Sequence, residues 1–248
     1  NEDLHIEAVG GALALIRLAK GLKPEYSHSV SASADLYHSF GRLQANLLVE
    51  GFYTMLNNVF TLVRIGENED GSIVYWERRN GSGATVAGVN FEGKIGIPHR
   101  FELQLGYTLQ SSRYDTPERW SDQLAPQRKM FRAPDHYGYL TSLFDITPRF
   151  KASLFGTYTG SMLVKHILSD GTNETDLEQN TPSFWDIGIK LAYTFRIGKA
   201  VNLEVNTGVK NIFDAYQKDL DYGAFKDADY VYGPSLPRMY FVGIKFSI

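Results

Sequence analysis

The side chains able to do chemistry are few. The imidazoles belong to His5, His28, His38, His99, His136 and His166. None stands in a His-x-His or His-x3-His pair, so the spacing of a metal centre is absent. The chain has no cysteine, which removes disulfides, thiolate ligands and cysteine nucleophiles together. Asp135-His136 is the one adjacent carboxylate–imidazole pair, the kind a hydrolase uses, and chance adjacency is the stronger reading of it. No Gly-x-Ser-x-Gly, Walker or dinucleotide fingerprint occurs. Gly81-Ser-Gly83 is too short to cradle a phosphate. The sequence therefore assigns no catalytic residue, no metal and no cofactor, and does not read as an enzyme.

Two other sets of residues carry recognition chemistry. Arg119, Trp120, Arg128, Tyr222, Tyr230 and Tyr232 lie in long polar stretches, where arginine and aromatic rings serve as ligand contacts. Packing of such loops on themselves is the competing reading. The second set is cationic: Lys151, Lys190, Arg196, Lys210 and Lys245 alternate with apolar residues. They are expected to pair with Glu50, Glu92, Glu102, Asp186 and Glu204 across one face of a sheet.

The elements that must hold these residues are strands. Tyr240, Val242, Ile244, Phe246 and Ile248 share one face of an extended segment, and Phe241, Gly243, Lys245 and Ser247 share the other. The same period of two recurs in 29–37, 43–53, 89–97, 101–110, 150–158 (within a strand expected to run over 150–164), 185–197 and 201–213. The second of these is predicted to run on toward Ile65. Residues 73–97 read as a returning arm interrupted at Asn80–Gly83, and 137–146 as another strand. Residues 1–20 are ambiguous between helix and strand, with strand preferred.

The connections alternate in length. Turns near His38–Gly41, Pro98-His99, Thr147–Arg149 and Gly198–Ala200 are short. Gly66–Gly71, 114–132, 168–181 and 218–235 are longer, polar loops. Short turns on one side and long loops on the other characterise an up-and-down membrane barrel. Aromatic residues recur at two heights. Phe101, Phe150, Phe195 and Phe246 lie near the short turns; Tyr53, Tyr107, Tyr158, Trp185 and Tyr240 lie roughly 15–25 Å further up, comparable to the apolar band of an outer membrane.

Composition agrees. A net charge of −3 gives no electrostatic case for nucleic acid. A mean hydropathy of −0.25 would suit a soluble chain, but a barrel averages apolar outer and polar inner residues to the same value. No apolar run approaches the ~20 residues of a membrane helix, and no signal peptide opens the chain. The alternatives are a soluble β-sandwich, a soluble barrel with a ligand cavity, and a complete ten-stranded outer-membrane barrel acting as a surface hydrolase or adhesin. The last needs Leu4–Leu18 as a wall strand.

Three stretches resemble TonB-dependent receptors of Gram-negative outer membranes. Gly21-Leu-Lys-Pro-Glu-Tyr-Ser is similar to that family's Asn-Leu-Lys-Pro-Glu-x-Ser element, with Gly21 in place of Asn. Asn211-Ile-Phe-Asp-Ala-Tyr216 is similar to its Asn-Leu-Phe-Asp-x-x-Tyr element. Tyr232-Gly-Pro-Ser-Leu-Pro-Arg-Met-Tyr240 and the strand after it are similar to its closing strand, which here ends in Ile248 instead of an aromatic. The resemblance implies an all-β, antiparallel up-and-down transmembrane barrel of which residues 1–248 are the C-terminal portion, roughly nine or ten strands of about twenty-two, without the plug domain. It implies an outer-membrane, ligand-gated importer of a ferric siderophore, cobalamin or similar scarce nutrient, driven through TonB by way of an N-terminal region not in this sequence. The implied partners are a small-molecule or metal-chelate ligand, outer-membrane lipid and the barrel-assembly machinery, whose signal would be Gly243, Phe246 and Ile248. A separated fragment with two open edges is expected to aggregate or pair outside detergent.

Overall fold

The computed structural model describes residues 5–9, 12–69, 73–198, 201–234 and 236–247. Leu4, Gly71, Lys199, Ala200, Ser235 and Ile248, named above, lie outside the described residues. In chain order the strands are β1 (His5–Val9), β2 (Ala12–Leu18), β3 (Tyr26–Phe40), β4 (Leu43–Asn57), β5 (Phe60–Glu67), β6 (Ile73–Asn80), β7 (Ala84–Ile97), β8 (Phe101–Glu118), β9 (Gln127–Lys129), β10 (His136–Asp145), β11 (Phe150–Thr159), β12 (Leu163–Ser169), β13 (Glu174–Asn180), β14 (Phe184–Ile197), β15 (Val201–Lys210) and β16 (Met239–Ser247). The fold is all-β.

The wall is one antiparallel meander in the order β16-β15-β14-β11-β10-β8-β7-β4-β3, with the short β9 added beside β8. Nine or ten wall strands were expected, and nine long ones are seen among the described residues. The connections 41–42, 98–100, 146–149 and 198–200 are short, whereas 58–83, 119–135, 160–183 and 211–238 are long. The tightest, Gly41-Arg42, places Gly41 at φ +64°, a left-handed conformation that glycine adopts without steric cost. The wall is open, with β3 and β16 as its edges.

Among the described residues no core lies behind the apolar face. Tyr240, Val242, Ile244 and Phe246 alternate as exposed residues with half-buried Met239, Phe241 and Gly243, and Trp185, Ile189, Leu191, Tyr193 and Phe195 do the same on β14. A row of exposed apolar side chains on strand after strand needs lipid to cover it. The aromatic heights are as expected. Tyr107, His136, Tyr158 and Trp185 form a continuous upper belt, with Tyr158 and Trp185 centroids 4.4 Å apart and Tyr158 and His136 5.5 Å apart. Below it Phe101 stacks on Phe144 and Phe150 meets Tyr193.

The opposite face is polar and bonded across strands. Asn90 donates to Glu50 and accepts from Thr108; the Tyr139 hydroxyl donates to Glu92 and accepts from Gln104. Ion pairs do form on this face, but the two seen there join partners other than the expected ones. Glu102 pairs with Lys94 at 2.7 Å, and Lys151 pairs with Asp145 at 3.1 Å. The large inner rings sit opposite glycine: Phe52 faces Gly88, Tyr139 faces Gly106, Phe155 faces Gly188 and Phe241 faces Gly208. Each ring occupies the space a Cβ would take on its glycine, to within 2.1–2.6 Å. The rings therefore lie flat on the wall and leave the bore clear.

Five expectations need correction. The strand expected over 150–164 is β11, which ends at Thr159, and Leu163 begins β12 of a separate two-stranded sheet. Within residues 1–20, His5–Val9 and Ala12–Leu18 are strands, but β1 and β2 join β6 and β5 in a separate four-stranded sheet, with β2 parallel to β6. They add no tenth wall strand. β4 does not continue to Ile65, because Asn58 turns the chain at φ +56° before β5 begins. The long arm of 73–97 is two strands in different sheets. The polar stretch 168–181 is largely the β12–β13 hairpin.

The Lys-Pro-Glu element explains how the small sheet is fastened. Asn80 accepts from the Lys23 amide at 2.7 Å and donates to the Lys23 carbonyl at 2.9 Å and the Asn58 carbonyl at 2.8 Å. Asn58 in turn donates to the Pro24 carbonyl, and Glu25 accepts from the Phe60 amide. Proline has no N–H to offer here, so its carbonyl and its two neighbours supply the bonds at the head of β3.

Candidate functional site: the outer loop cap

The buried core of the molecule lies above the wall, in the long loops. Val164, Phe184, Tyr230 and Tyr232 form it, with Met162 and Ala215 against them. Three connections meet there. Loop A is 119–135 with β9, loop B is the β12–β13 hairpin with its flanks, and loop C is 211–238.

Loop C is organised by one carboxylate. Asp219 accepts from the Tyr230 hydroxyl at 2.7 Å and from the Tyr232 hydroxyl at 2.5 Å, and Tyr230 also reaches Gln179 of loop B at 2.6 Å. Gln217 donates to the Tyr230 carbonyl and accepts from the Tyr232 amide, so the two tyrosines are held through backbone as well. Burial works to raise the Asp219 pKa, but the two phenol hydrogen bonds outweigh it and hold the carboxyl below its ordinary range. Burial, then the bond to Asp219, pushes Tyr230 well above the ordinary phenol and Tyr232 up to about 12.

Loop B enters beside them. The His166 ring lies flat on Tyr230, with centroids 3.5 Å apart and planes within 4°. Its Nε2 meets Asp221 at 2.9 Å, and the Ile167 amide donates to Asp227 at 2.9 Å. Loop A closes the assembly. Arg132, at φ +56°, donates to the Val231 carbonyl at 2.8 Å and to the Asp229 carbonyl, while its own amide reaches Leu163. Trp120 donates to Glu178 at 2.8 Å, and the Lys165 ammonium sits 5.1 Å from the Trp120 ring and 4.9 Å from Phe131. Gln123 bridges the Glu174 carbonyl and the Asp176 amide. The three loops are thus one bonded body.

Loop C is tied to the wall at both ends by the Asn-Ile-Phe-Asp element. Asn211, buried and at φ +49°, donates to the carbonyls of Ala215 and Leu236, both at 2.9 Å, and accepts from the Ala215 amide. Asp214 accepts from the Arg238 amide at 2.8 Å. Asparagine and aspartate tolerate the left-handed region better than other residues, and here both conformation and side chain are used.

A cleft of about 490 Å³ opens between loops B and C, lined among others by Asp170, Asn173, Asp221, Tyr222, Phe225 and Lys226. Two hydrogen bonds from the Asn173 and Thr172 amides hold the Asp170 carboxyl below its ordinary range.

The six loop residues singled out from sequence separate by exposure. Tyr222 is 84% exposed and lines this cleft. Arg119 and Arg128 are exposed and Trp120 is half-buried. Tyr230 and Tyr232, at 1% and 7%, are interior. His166 was named only as an isolated imidazole, and Asp219 and Asp221 were not singled out, since nothing in their spacing marks a buried cluster. Asp135 and His136 are not brought together: Asp135 holds Lys129 at 2.7 Å, while His136 lies in the aromatic belt. Of the assembly signal, Gly243 faces Asn206 and Phe246 is exposed to the lipid side.

Residues 9–212 match the family model for the TonB-dependent receptor-like β-barrel. This chain belongs to the TonB-dependent receptor family. That family consists of receptors and transporters, not enzymes, of the Gram-negative outer membrane, and the outer membrane is where this wall resides. As a class these receptors bind a ligand and TonB. No curated protein matches the sequence. Among solved structures, the ferric-catecholate import receptor Fiu of Escherichia coli K12 is 22% identical with a TM-score of 0.60, the match covering 92% of this chain and 28% of Fiu. The siderophore receptor PirA of Acinetobacter baumannii is 15% identical at 0.57, covering 98% of this chain and 35% of PirA. The ferripyoverdine receptor of Pseudomonas aeruginosa is 15% identical at 0.59, covering 91% and 27%. At these identities the likeness is one of fold. The chain spans about a third of the length of these structures.

Proposed function

We propose that residues 1–248 form the C-terminal part of the barrel wall, with its outer loops, of an importer that takes up a scarce nutrient as a ferric siderophore or comparable metal chelate. Import is driven through TonB, which engages a region outside this sequence. The observation that carries this reading is the welded cap of loops A, B and C over the outer end of a lipid-facing wall. A receptor gated from outside needs ordered loops above its bore, and order in loops of this length requires internal bonds. The ligand-contacting residues are Arg119, Arg128 and Tyr222, with Trp120 at the rim; Tyr230 and Tyr232 shape loop C from within. Gly243 and Phe246 belong to the strand that the assembly machinery reads.

The test is uptake of ferric iron presented as a chelate by cells carrying the receptor at its native length. Transport that stops when TonB is removed, and that weakens when Arg119, Arg128 and Tyr222 are changed to alanine together, supports the reading. Uptake that persists without TonB sinks it.

A further inference from the structure

The Asn-Ile-Phe-Asp element presents a side chain as well as fastening loop C. The Asp214 amide donates to the Asn211 carbonyl at 2.9 Å and closes a tight turn whose central residues are Ile212 and Phe213. The Ile212 amide donates to the Ile187 carbonyl of β14 at 2.8 Å. The turn is thus hitched to the wall two residues from Trp185, a member of the upper aromatic belt. Its ends are pinned as well, by Asn211 to Leu236 and by Asp214 to Arg238. The tip is nonetheless bare: Phe213 is 63% exposed, more than Trp185 of the belt at 53%. A phenyl ring held this firmly and left uncovered is not packing the loop from within.

Arg238 stands beside this tip, since Asp214, the residue after Phe213, accepts its backbone amide at 2.8 Å. It directly precedes β16, two residues before the exposed Tyr240. Alternation along an extended chain carries both side chains to the outward, lipid-facing side. The Arg238 side chain is exposed and makes no hydrogen bond or ion pair with another described residue. Among the described outward positions of the outer half of the wall, the other arginine or lysine is Arg113 on β8. Arg113 lies six residues beyond Tyr107 of the belt, and its Nε is bonded to Ser111 at 3.1 Å. Arg238 is therefore the uncommitted guanidinium at the belt itself.

We propose that Phe213, Arg238 and Tyr240 clasp the headgroup of the phosphate-bearing glycolipid of the outer leaflet. The surface is continuous with the lipid-facing side of β14 and β16 and lies at the long-loop, outer end of the wall. Phe213 enters the acyl boundary beside Trp185 and Tyr240, where amphipathic and aromatic rings settle at a membrane surface. The guanidinium takes two phosphate oxygens in a forked bond. Because the same turn sets where loop C leaves the wall, the clasp fixes the loop cap relative to the membrane surface. The clasp does not depend on what the receptor imports.

The experiment uses the receptor purified at native length in detergent, with bis-phosphorylated lipid A as the probe and native mass spectrometry to count bound lipid. R238Q is expected to weaken binding by about tenfold and F213S by about threefold or more. R238K keeps the charge without the fork and is expected to fall between R238Q and the unaltered protein, which separates a lost contact from a lost fold. R113Q is expected to stay within about twofold of the unaltered protein. Unchanged binding by R238Q, an equal loss in R113Q, or equal binding of lipid A stripped of its phosphates would each overturn the clasp. Phosphatidylglycerol bound as tightly as lipid A would overturn the glycolipid as its occupant. In living cells, a photoactivatable benzophenone side chain in place of Phe213 is expected to capture that lipid. Capture of protein, whether a second copy or another segment of the receptor, would overturn the lipid assignment.

Discussion

The side chain of Asn211 donates to the carbonyl of Leu236 at 2.9 Å across 25 residues of chain. With the paired bonds to Ala215, one buried amide fixes where loop C leaves the wall and where it returns. Asn211→Ala removes two donors and an acceptor and puts an ordinary side chain at positive φ. A loss of about 2–3 kcal/mol in loop-cap stability is expected, since buried partners are left unpaired. Protease cleavage within 218–235 of the membrane-embedded receptor measures it. Cleavage as slow as in the unaltered protein would count against the clamp.

The Asp219–Tyr230–Tyr232 cluster gives loop C a pH dependence at both ends. The folded Tyr232 pKa is raised to about 12 and Tyr230 is raised further. A raised folded pKa contributes stability fully present below the unfolded value, about 10 for tyrosine, and lost as pH rises through the folded one. Loop C is therefore expected to loosen between about pH 10 and 12. Asp219 has the opposite sign. Its folded pKa is depressed, so its contribution holds above the unfolded value near 4 and disappears as pH falls below that. Near-ultraviolet circular dichroism across both windows checks this. Tyr232→Phe should flatten part of the alkaline limb and leave the acid limb largely in place through Tyr230.

Glycine opposite an aromatic ring is a packing device on this wall, and two glycines test it against each other. A Cβ on Gly106 would lie 2.1 Å from a Tyr139 ring carbon, whereas a Cβ on Gly93 meets nothing within 4 Å. Gly106→Ala must displace the ring and its bonds to Glu92 and Gln104, at about 1–3 kcal/mol. Gly93→Ala is expected to stay within about 0.5 kcal/mol of neutral. The temperature at which each variant loses its compact gel mobility ranks them. Equal midpoints would remove the role assigned to Tyr139.

Most of the wall was legible because period-two alternation is a local property of each strand. β14 could be read from Trp185 to Ile197 without any partner, and the two aromatic belts followed from counting. What the sequence hid was pairing. β2 read as an ambiguous stretch and β6 as part of one long arm with β7, but the two pair parallel to each other in another sheet, joined by contacts 60 residues apart such as Arg17–Glu77. The loop cluster was hidden for the same reason: Tyr230 and Tyr232 looked like ligand contacts because loop aromatics usually are. Only the position of Asp219 and Gln179 shows that their hydroxyls face inward. The inner charges were found by parity, but parity does not give the partner, and Lys190 and Lys210 turned out to have none among the described residues.

The lipid assignment of β16 is tested by placing one charge on each face. Ile244 is 63% exposed in mid-strand, with Val242 and Phe246 beside it at 76% and 69%. In a membrane those exposures are filled by hydrocarbon. Ile244→Arg is expected to cost about 2–4 kcal/mol near the bilayer midplane. Asn206 pairs with Gly243 and belongs to the polar face, so Asn206→Lys puts its charge toward water, and its cost should remain within about 1 kcal/mol. Urea unfolding in lipid vesicles compares the two. Equal costs, or a larger cost at Asn206, would mean that the apolar face of β16 is covered by protein instead of lipid.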